Sequence, residues 1–408
     1  MFQDIKKNVK LRHIFPLLII SFFPITAFIG SGVINIQIIL LDLFFLYELL
    51  KIKKFDYLKN KYFFILILIW FIFLINLFFS ININNSLLRS CGFLRFLILI
   101  FAVKYYIFDI NKNYQNYIFS VWIFSFILIS VDLIYEFIFG KNILGFKSYI
   151  PGRLSGFFIN ELKIGYLYSF FSLIVLSAIY IRFKKSKKNI FTFYIIFLSV
   201  LILSFLIGER ANFVKTFIMF LIFFFAFDTK FFRSKLISLF TICIIFMMSL
   251  YSLKDANDYK YRFWGMFLSP IIDNPIKFIK NTNYGDHYKA AYEVFKDYKY
   301  FGVGIKNYRI IVESGKYGEN TSIHPHEKHL EILSEIGLIG YIILISFFLY
   351  FITNAIKIFL RNRNLYQLSG LLFFLTNLIP LIPSGSFFTT YTATFFWMSF
   401  AFMIYEKR

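Results

Sequence analysis

The sequence predicts an all-α polytopic membrane protein, and three observations carry that prediction. Hydrophobic residues make up 59% of the 408, with 61 phenylalanines, and only 16% are charged. Apolar runs of spanning length recur along nearly the whole chain, more apolar surface than one water-soluble core can bury. The runs are continuous, whereas a β-barrel needs short alternating strands. The net charge of +22, from 44 basic and 22 acidic residues, falls in short loops between the runs. That is the pattern of topology determinants and not of a nucleic-acid surface, so no nucleic-acid partner is expected. Cys91 and Cys243 both lie inside apolar runs, which argues against a disulfide framework and a thiolate metal site alike.

Lys6, Lys7, Lys10 and Arg12 precede an apolar run that ends near Gly30. No small-residue cleavage site follows it and the next run starts near Ile34, so it reads as the first transmembrane helix. Further spans are expected near 34–50, 62–80, 88–108, 115–139, 161–182, 190–207, 211–227, 235–253, 336–357, 365–382 and 386–405, about twelve in all. With that number, the basic clusters at Lys51 to Lys61, Arg182 to Lys188, Lys230 to Lys235, Lys357 to Arg363 and Lys407/Arg408 fall on the side of the basic N-terminus. The opposite short connections, 30–33, 81–87 and 380–385, hold no Lys or Arg. The basic side is therefore cytoplasmic, and so are both termini.

Three segments then face outward: 140–160, the tight Gly208-Glu209-Arg210 turn, and a loop of more than seventy residues from Lys254 to about Leu330. Ala291, Val294, Phe295 and Tyr298 give that loop helical apolar spacing. The expected organisation is transmembrane helices 1–9 over residues 1–253, a loop subdomain over 254–330 and helices 10–12 over 331–408.

Three of the five histidines lie within six positions, His324, His326 and His329, where the long loop meets an apolar helix. A zinc-protease helix needs its two histidines at i and i+4; His326 and His329 are one position short, though Glu331 adds a carboxylate. Interfacial histidines at a helix start, with Pro325 at the first helical position, account for the same residues without chemistry. A third reading makes one of them a general base toward a hydroxyl. The external arginines Arg153, Arg210, Arg262 and Arg309 suit a pyrophosphate, because guanidinium forks match phosphate oxygens in pairs. Each alone also serves as a headgroup anchor. Arg210 weighs most, since its turn is so short that the charge must sit at the membrane surface against a cavity or a partner. Arg89 and Arg95 extend the argument, as do Asp132 and Glu136, for which structural pairing between helices is the alternative. Lys104 and Asp42 lie nearer the other interface and suit snorkelling.

The run from His324-Pro325-His326-Glu327 through Leu330-Glu331-Ile332-Leu333-Ser334-Glu335-Ile336-Gly337 to Gly340 resembles the signature of the O-antigen ligase and Wzy-type polymerase superfamily. Arg153 to Phe158, Ser204 to Asn212, and His287 to Tyr292 continuing to Gly304 are similar to further blocks of that family, in family order. The resemblance implies a GT-C-like membrane enzyme with a periplasmic loop subdomain in the bacterial inner membrane. It implies inverting, metal-independent and cofactor-free glycosyl transfer. The implied donor is a glycan on undecaprenyl pyrophosphate, and the acceptor is a sugar hydroxyl of lipid A–core in ligases or another lipid-linked repeat unit in polymerases. By position it assigns catalysis to His326, with His324 beside it, and donor pyrophosphate binding to Arg210 and Arg153, joined here by Arg262 and Arg89. Where the family has Asn after the second His this chain has Glu327, a second candidate for the base.

A transporter or flippase is the alternative from another class. It predicts ionisable residues or broken helices near mid-membrane, often in paired halves. The strongest polar cluster in this sequence lies at one face, which favours an enzyme working there.

Overall fold

A computed structural model describes residues 11–53, 55–57, 59–159, 161–183, 187–226, 257–274, 277, 282–318 and 321–406. Among these, every regular element is helical. In chain order the helices are α1 (Leu11–Thr26), α2 (Ser31–Ile52), α3 (Lys61–Asn76), α4 (Ile83–Gly92), α5 (Leu94–Lys104), α6 (Lys112–Phe139), α7 (Ile164–Phe183), α8 (Lys187–Leu206) and α9 (Arg210–Ala226). A helical stretch α10 (257–273), π-helical over Tyr261–Leu268, precedes α11 (Asn283–Asp297), α12 (Tyr308–Val312), α13 (Lys328–Asn362), α14 (Leu365–Thr376) and α15 (Thr390–Met403).

Polar residues outside the apolar runs set the starts. Asn60, Asn111 and Asn364 each turn a side-chain oxygen to a first-turn N–H of the helix that follows. Gly140, left-handed at φ 68, ends α6.

Helical structure lies within every segment expected to span except 235–253, which lies outside the described residues. Among the described residues, six helices are long and apolar enough to cross a membrane: Ser31–Ile52, Lys61–Phe79, Ile83–Asp109, Lys112–Phe139, Ile164–Phe183 and Lys328–Asn362. The apolar helices Arg12–Thr26, Phe191–Leu206 and Leu365–Thr376 are shorter. At about 1.5 Å per residue they reach roughly 18–24 Å, against a hydrocarbon thickness of about 30 Å. The described helices therefore do not all match the twelve spans that hydropathy suggests.

Residues Thr390 to Met403 of α15 are all buried, as befits a helix apolar around its circumference. It packs against α14, α5, α2 and α7, and α14 in turn meets α7, α9 and α13. The abundant phenylalanine fills this centre: Phe93, Phe348, Phe387, Phe396 and Trp397 pack ring against ring. The long loop holds the helix α11, which packs on α13.

α13 is two helices joined by a break at Gly337 (φ 71, ψ −178). The freed backbone groups pair with the segment that follows α11: Leu338 donates to the Lys299 carbonyl at 2.8 Å, and Val303 and Gly304 donate to Ser334 and Glu335, each at 2.9 Å. The first half of α13, with the histidines ahead of it, is thereby fixed to residues 299–304.

Candidate active site

The histidine-rich segment folds as loop, cap and helix. His326 is left-handed at φ 57. Glu327 follows in extended backbone and caps α13, its Oε2 accepting the Leu330 N–H at 2.8 Å. The helix thus begins at Lys328, three residues past Pro325, because these two non-helical residues intervene. The expectation that Pro325 opens the helix is corrected. The Ser384 N–H donates to the His326 carbonyl at 2.7 Å, so the connection between α14 and α15 holds this turn in place. His329 is engaged elsewhere, with Nε2 2.7 Å from the Leu378 carbonyl and Nδ1 3.0 Å from the Tyr341 hydroxyl.

Three imidazoles gather. The His326 ring lies 4.8 Å from His324 and 5.4 Å from His287, centre to centre, with Tyr284 edge-on at 5.8 Å. Ser322 Oγ sits 3.2 Å from His326 Nε2. His324 Nε2 donates to the Ser384 carbonyl at 3.1 Å, and its Nδ1 faces Glu331 at 3.7 Å. Burial, then the neighbouring His324 and His287, pull the His326 pKa down from 6.5 to about 4, so the ring is neutral at pH 7. Glu327 is 2% exposed and its carboxylate is occupied by the cap. Among the described residues, no three His, Cys, Asp or Glu side chains are set to hold a metal ion.

Buried charges underlie the imidazoles. Glu331 accepts the Phe387 N–H at 2.7 Å and the Ser386 hydroxyl, and lies 4.0 Å from Lys306. Lys328 donates to the Asn377 side chain at 3.0 Å, and Lys215 of α9 donates to the Pro383 carbonyl at 3.1 Å. Both lysines and Glu331 are nearly inaccessible, so these contacts fix the 377–387 connection against α9 and α13.

The arginines come from three segments. A Cβ on Gly208 would lie 3.1 Å from the Arg153 Cα, so only glycine lets the α8–α9 turn lie on the 150–156 loop. Arg153 donates to the Leu162 carbonyl at 3.0 Å and pairs with Glu209 at 3.4 Å. Arg262 donates to the Gly208 carbonyl at 3.2 Å. Arg210 opens α9 and donates to the Met266 carbonyl at 3.2 Å; its charge stands near Tyr284, the residue that meets His326. Arg153, Arg210, Arg262 and the imidazoles thus form one neighbourhood. Arg89 stands apart, exposed on α4 with its charge toward Arg95, and Arg309 is exposed on α12.

Asp132 and Glu136 act on this loop. Glu136 accepts the N–H groups of Ser155 at 3.0 Å and Gly156 at 2.8 Å, and Asp132 accepts that of Ile143 at 2.8 Å. Their i,i+4 spacing anchors the segment that carries Arg153, in place of an ion pair between helices. Lys104 pairs with Asp109 at 2.6 Å.

Sequence reasoning passed over Tyr284, Ser322, Ser384 and Ser386, and read His287 only as part of a family block. Tyr284 and His287 carry a faint signal, the i,i+3 spacing that puts them on one face of α11. The serines carry none.

These features define a multi-pass helical membrane protein with its polar chemistry gathered where α11 and the start of α13 meet. Residues 154–345, just under half of the chain, match the family model described as O-antigen ligase, which supports membership in the O-antigen ligase-like family. Arg210, Arg262, His287 and His326 fall inside the match, Arg153 borders it and Arg89 lies well outside. No curated protein matches the chain.

Proposed function

We propose that the protein is an inverting, metal-independent glycosyltransferase of the bacterial inner membrane. It transfers a glycan from undecaprenyl pyrophosphate to a sugar hydroxyl of lipid A–core, with the site on the periplasmic face and both termini in the cytoplasm. The observation that carries this reading is the meeting of a neutral imidazole, His326, with arginines from three segments across Tyr284.

With Nε2–H donating to Ser322 Oγ, His326 keeps Nδ1 as a base. It takes the proton of the acceptor hydroxyl as that oxygen bonds to the anomeric carbon. The bond from that carbon to the pyrophosphate oxygen breaks, and the leaving oxygen keeps the electron pair. Arg210, Arg153 and Arg262 stabilise the charge that develops there. A single displacement inverts the anomeric centre. His324 orients the base, and Glu327 holds the helix start that carries it.

The test is a deletion strain carrying the wild-type gene, His326→Ala or Arg210→Ala, examined for surface polysaccharide. Loss of all attached chains with accumulated lipid-linked polymer is expected. Single attached repeats would instead assign polymerisation, and unchanged polysaccharide in the variants would overturn the roles given to these residues.

A further inference from the structure

The geometry points to His287 as an acceptor-binding residue that donates its Nε2–H to a sugar hydroxyl next to the one His326 deprotonates. This rests on the transferase reading above and extends it to how the acceptor sugar is held.

Thr282 caps α11 by accepting the Gly285 N–H at 3.3 Å, and the first turns set Tyr284, His287 and Tyr288 at i, i+3 and i+4. That face is turned to the histidine segment. Tyr288 donates to the Leu381 carbonyl at 3.3 Å, Tyr284 meets the His326 ring, and the His287 and His326 rings lie 5.4 Å apart with planes at 32°.

Ser322 ties the two imidazoles together. Its backbone N–H donates to His287 Nδ1 at 3.1 Å while its Oγ sits 3.2 Å from His326 Nε2. Accepting an N–H at Nδ1 places the proton of a neutral His287 on Nε2. Burial, together with His324, disfavours the charged form, against Asp286, which favours it. No hydrogen bond to that Nε2–H is formed among the described residues. A neutral donor therefore stands beside a neutral base, the pairing that two neighbouring hydroxyls on one sugar ring would satisfy: one gives up a proton, the other accepts a hydrogen bond.

The test uses the full-length protein in liposomes with an undecaprenyl-pyrophosphate-linked oligosaccharide as donor. Lipid A–core and a second lipid-linked oligosaccharide serve as alternative acceptors. His287→Ala is expected to raise the acceptor KM about ten-fold, the worth of one hydrogen bond, with the donor KM and the acid limb of the kcat profile unmoved. His287→Gln, whose amide N–H reaches the same place, is expected within about three-fold of wild type. An unchanged acceptor KM in His287→Ala, or a loss confined to kcat with a displaced acid limb, would overturn the proposal. Transfer by the wild type to neither acceptor would sink the transferase reading alone. His287 is then decided by nitrogen NMR of histidine-labelled protein titrated with the core oligosaccharide: a shift at the Nε2 that is lost in His287→Gln sustains it, and no shift overturns it.

Discussion

Gly302 and Gly337 lie back to back where the segment after α11 meets α13: a Cβ on Gly302 would stand 2.6 Å from the Gly337 nitrogen, and one on Gly337 would stand 2.5 Å from the Gly302 nitrogen. Both have positive φ, 70 and 71, and the Gly337 ψ of −178 puts it in a region that only glycine occupies freely. Substitution adds backbone strain of about 1–3 kcal/mol to direct overlap with backbone that cannot swing aside. Gly337→Ala and Gly302→Ala should each destabilise by at least about 3 kcal/mol and release α11 from α13. Thermal unfolding in detergent measures this; midpoints equal to wild type would mean that the junction yields.

Because burial and two neighbouring imidazoles lower the His326 pKa from 6.5 to about 4, its base form persists well below the range of a free histidine. The sign is fixed by that direction. A lowered histidine pKa means the folded protein holds the neutral ring, so kcat should stay level from pH 7 to about 5 and fall as pH passes about 4. The same shift makes the fold lose stability as pH drops from 6.5 toward about 4, since unfolding takes up a proton there. An acid limb near 6.5 in the transfer rate would show an ordinary, solvated imidazole.

Arg153 and Arg210 should differ when removed. Arg153 faces the Glu209 carboxylate, 8% exposed, while Arg210 donates, among the described residues, to carbonyls alone. Arg153→Ala leaves a buried carboxylate without its cation. Such losses run at about 3–5 kcal/mol, and about 2–3 kcal/mol is expected for this partly exposed pair. Arg210→Ala should leave stability within about 1 kcal/mol of wild type and lower transfer by about 10²-fold, the worth of one charged donor to the leaving group. Unfolding midpoints and rates measured on both variants decide it; equal stability losses would remove the distinction.

The sequence made some of this plain and hid the rest for physical reasons. The 3.6-residue apolar spacing at Ala291 and Val294 announced α11, and long apolar runs announced the six described helices long enough to cross a membrane, because both signals are local. Gly337 and the break in α13 were visible only as part of a motif, since its cause is the backbone of residues 299–304 arriving from a distant segment. The arginines stand out in the sequence by their rarity at an apolar boundary, where charge demands a partner. Ser322, Ser384 and Ser386 could not be found: a residue whose partners lie 35 to 60 positions away leaves no mark on its neighbours. Helix lengths were overstated where apolar loops, such as 377–383, continue the hydropathy of the helix before them.

Glu327 is the residue on which sequence and structure pull apart. Beside His326 in sequence it offers a second base; in the fold it is the cap of α13, with Oε2 on the Leu330 N–H and only 2% of its surface exposed. A cap needs an acceptor oxygen and no charge, whereas a base needs the carboxylate. Glu327→Gln keeps the acceptor, so with His326 as base it should remain within about ten-fold of wild-type transfer, while His326→Ala falls by about 10²- to 10⁴-fold. Glu327→Ala removes the acceptor and should destabilise α13 by about 1 kcal/mol. Rates and unfolding midpoints for the three variants separate the roles. A collapse of transfer in Glu327→Gln at unchanged stability would move the base from the imidazole to the carboxylate.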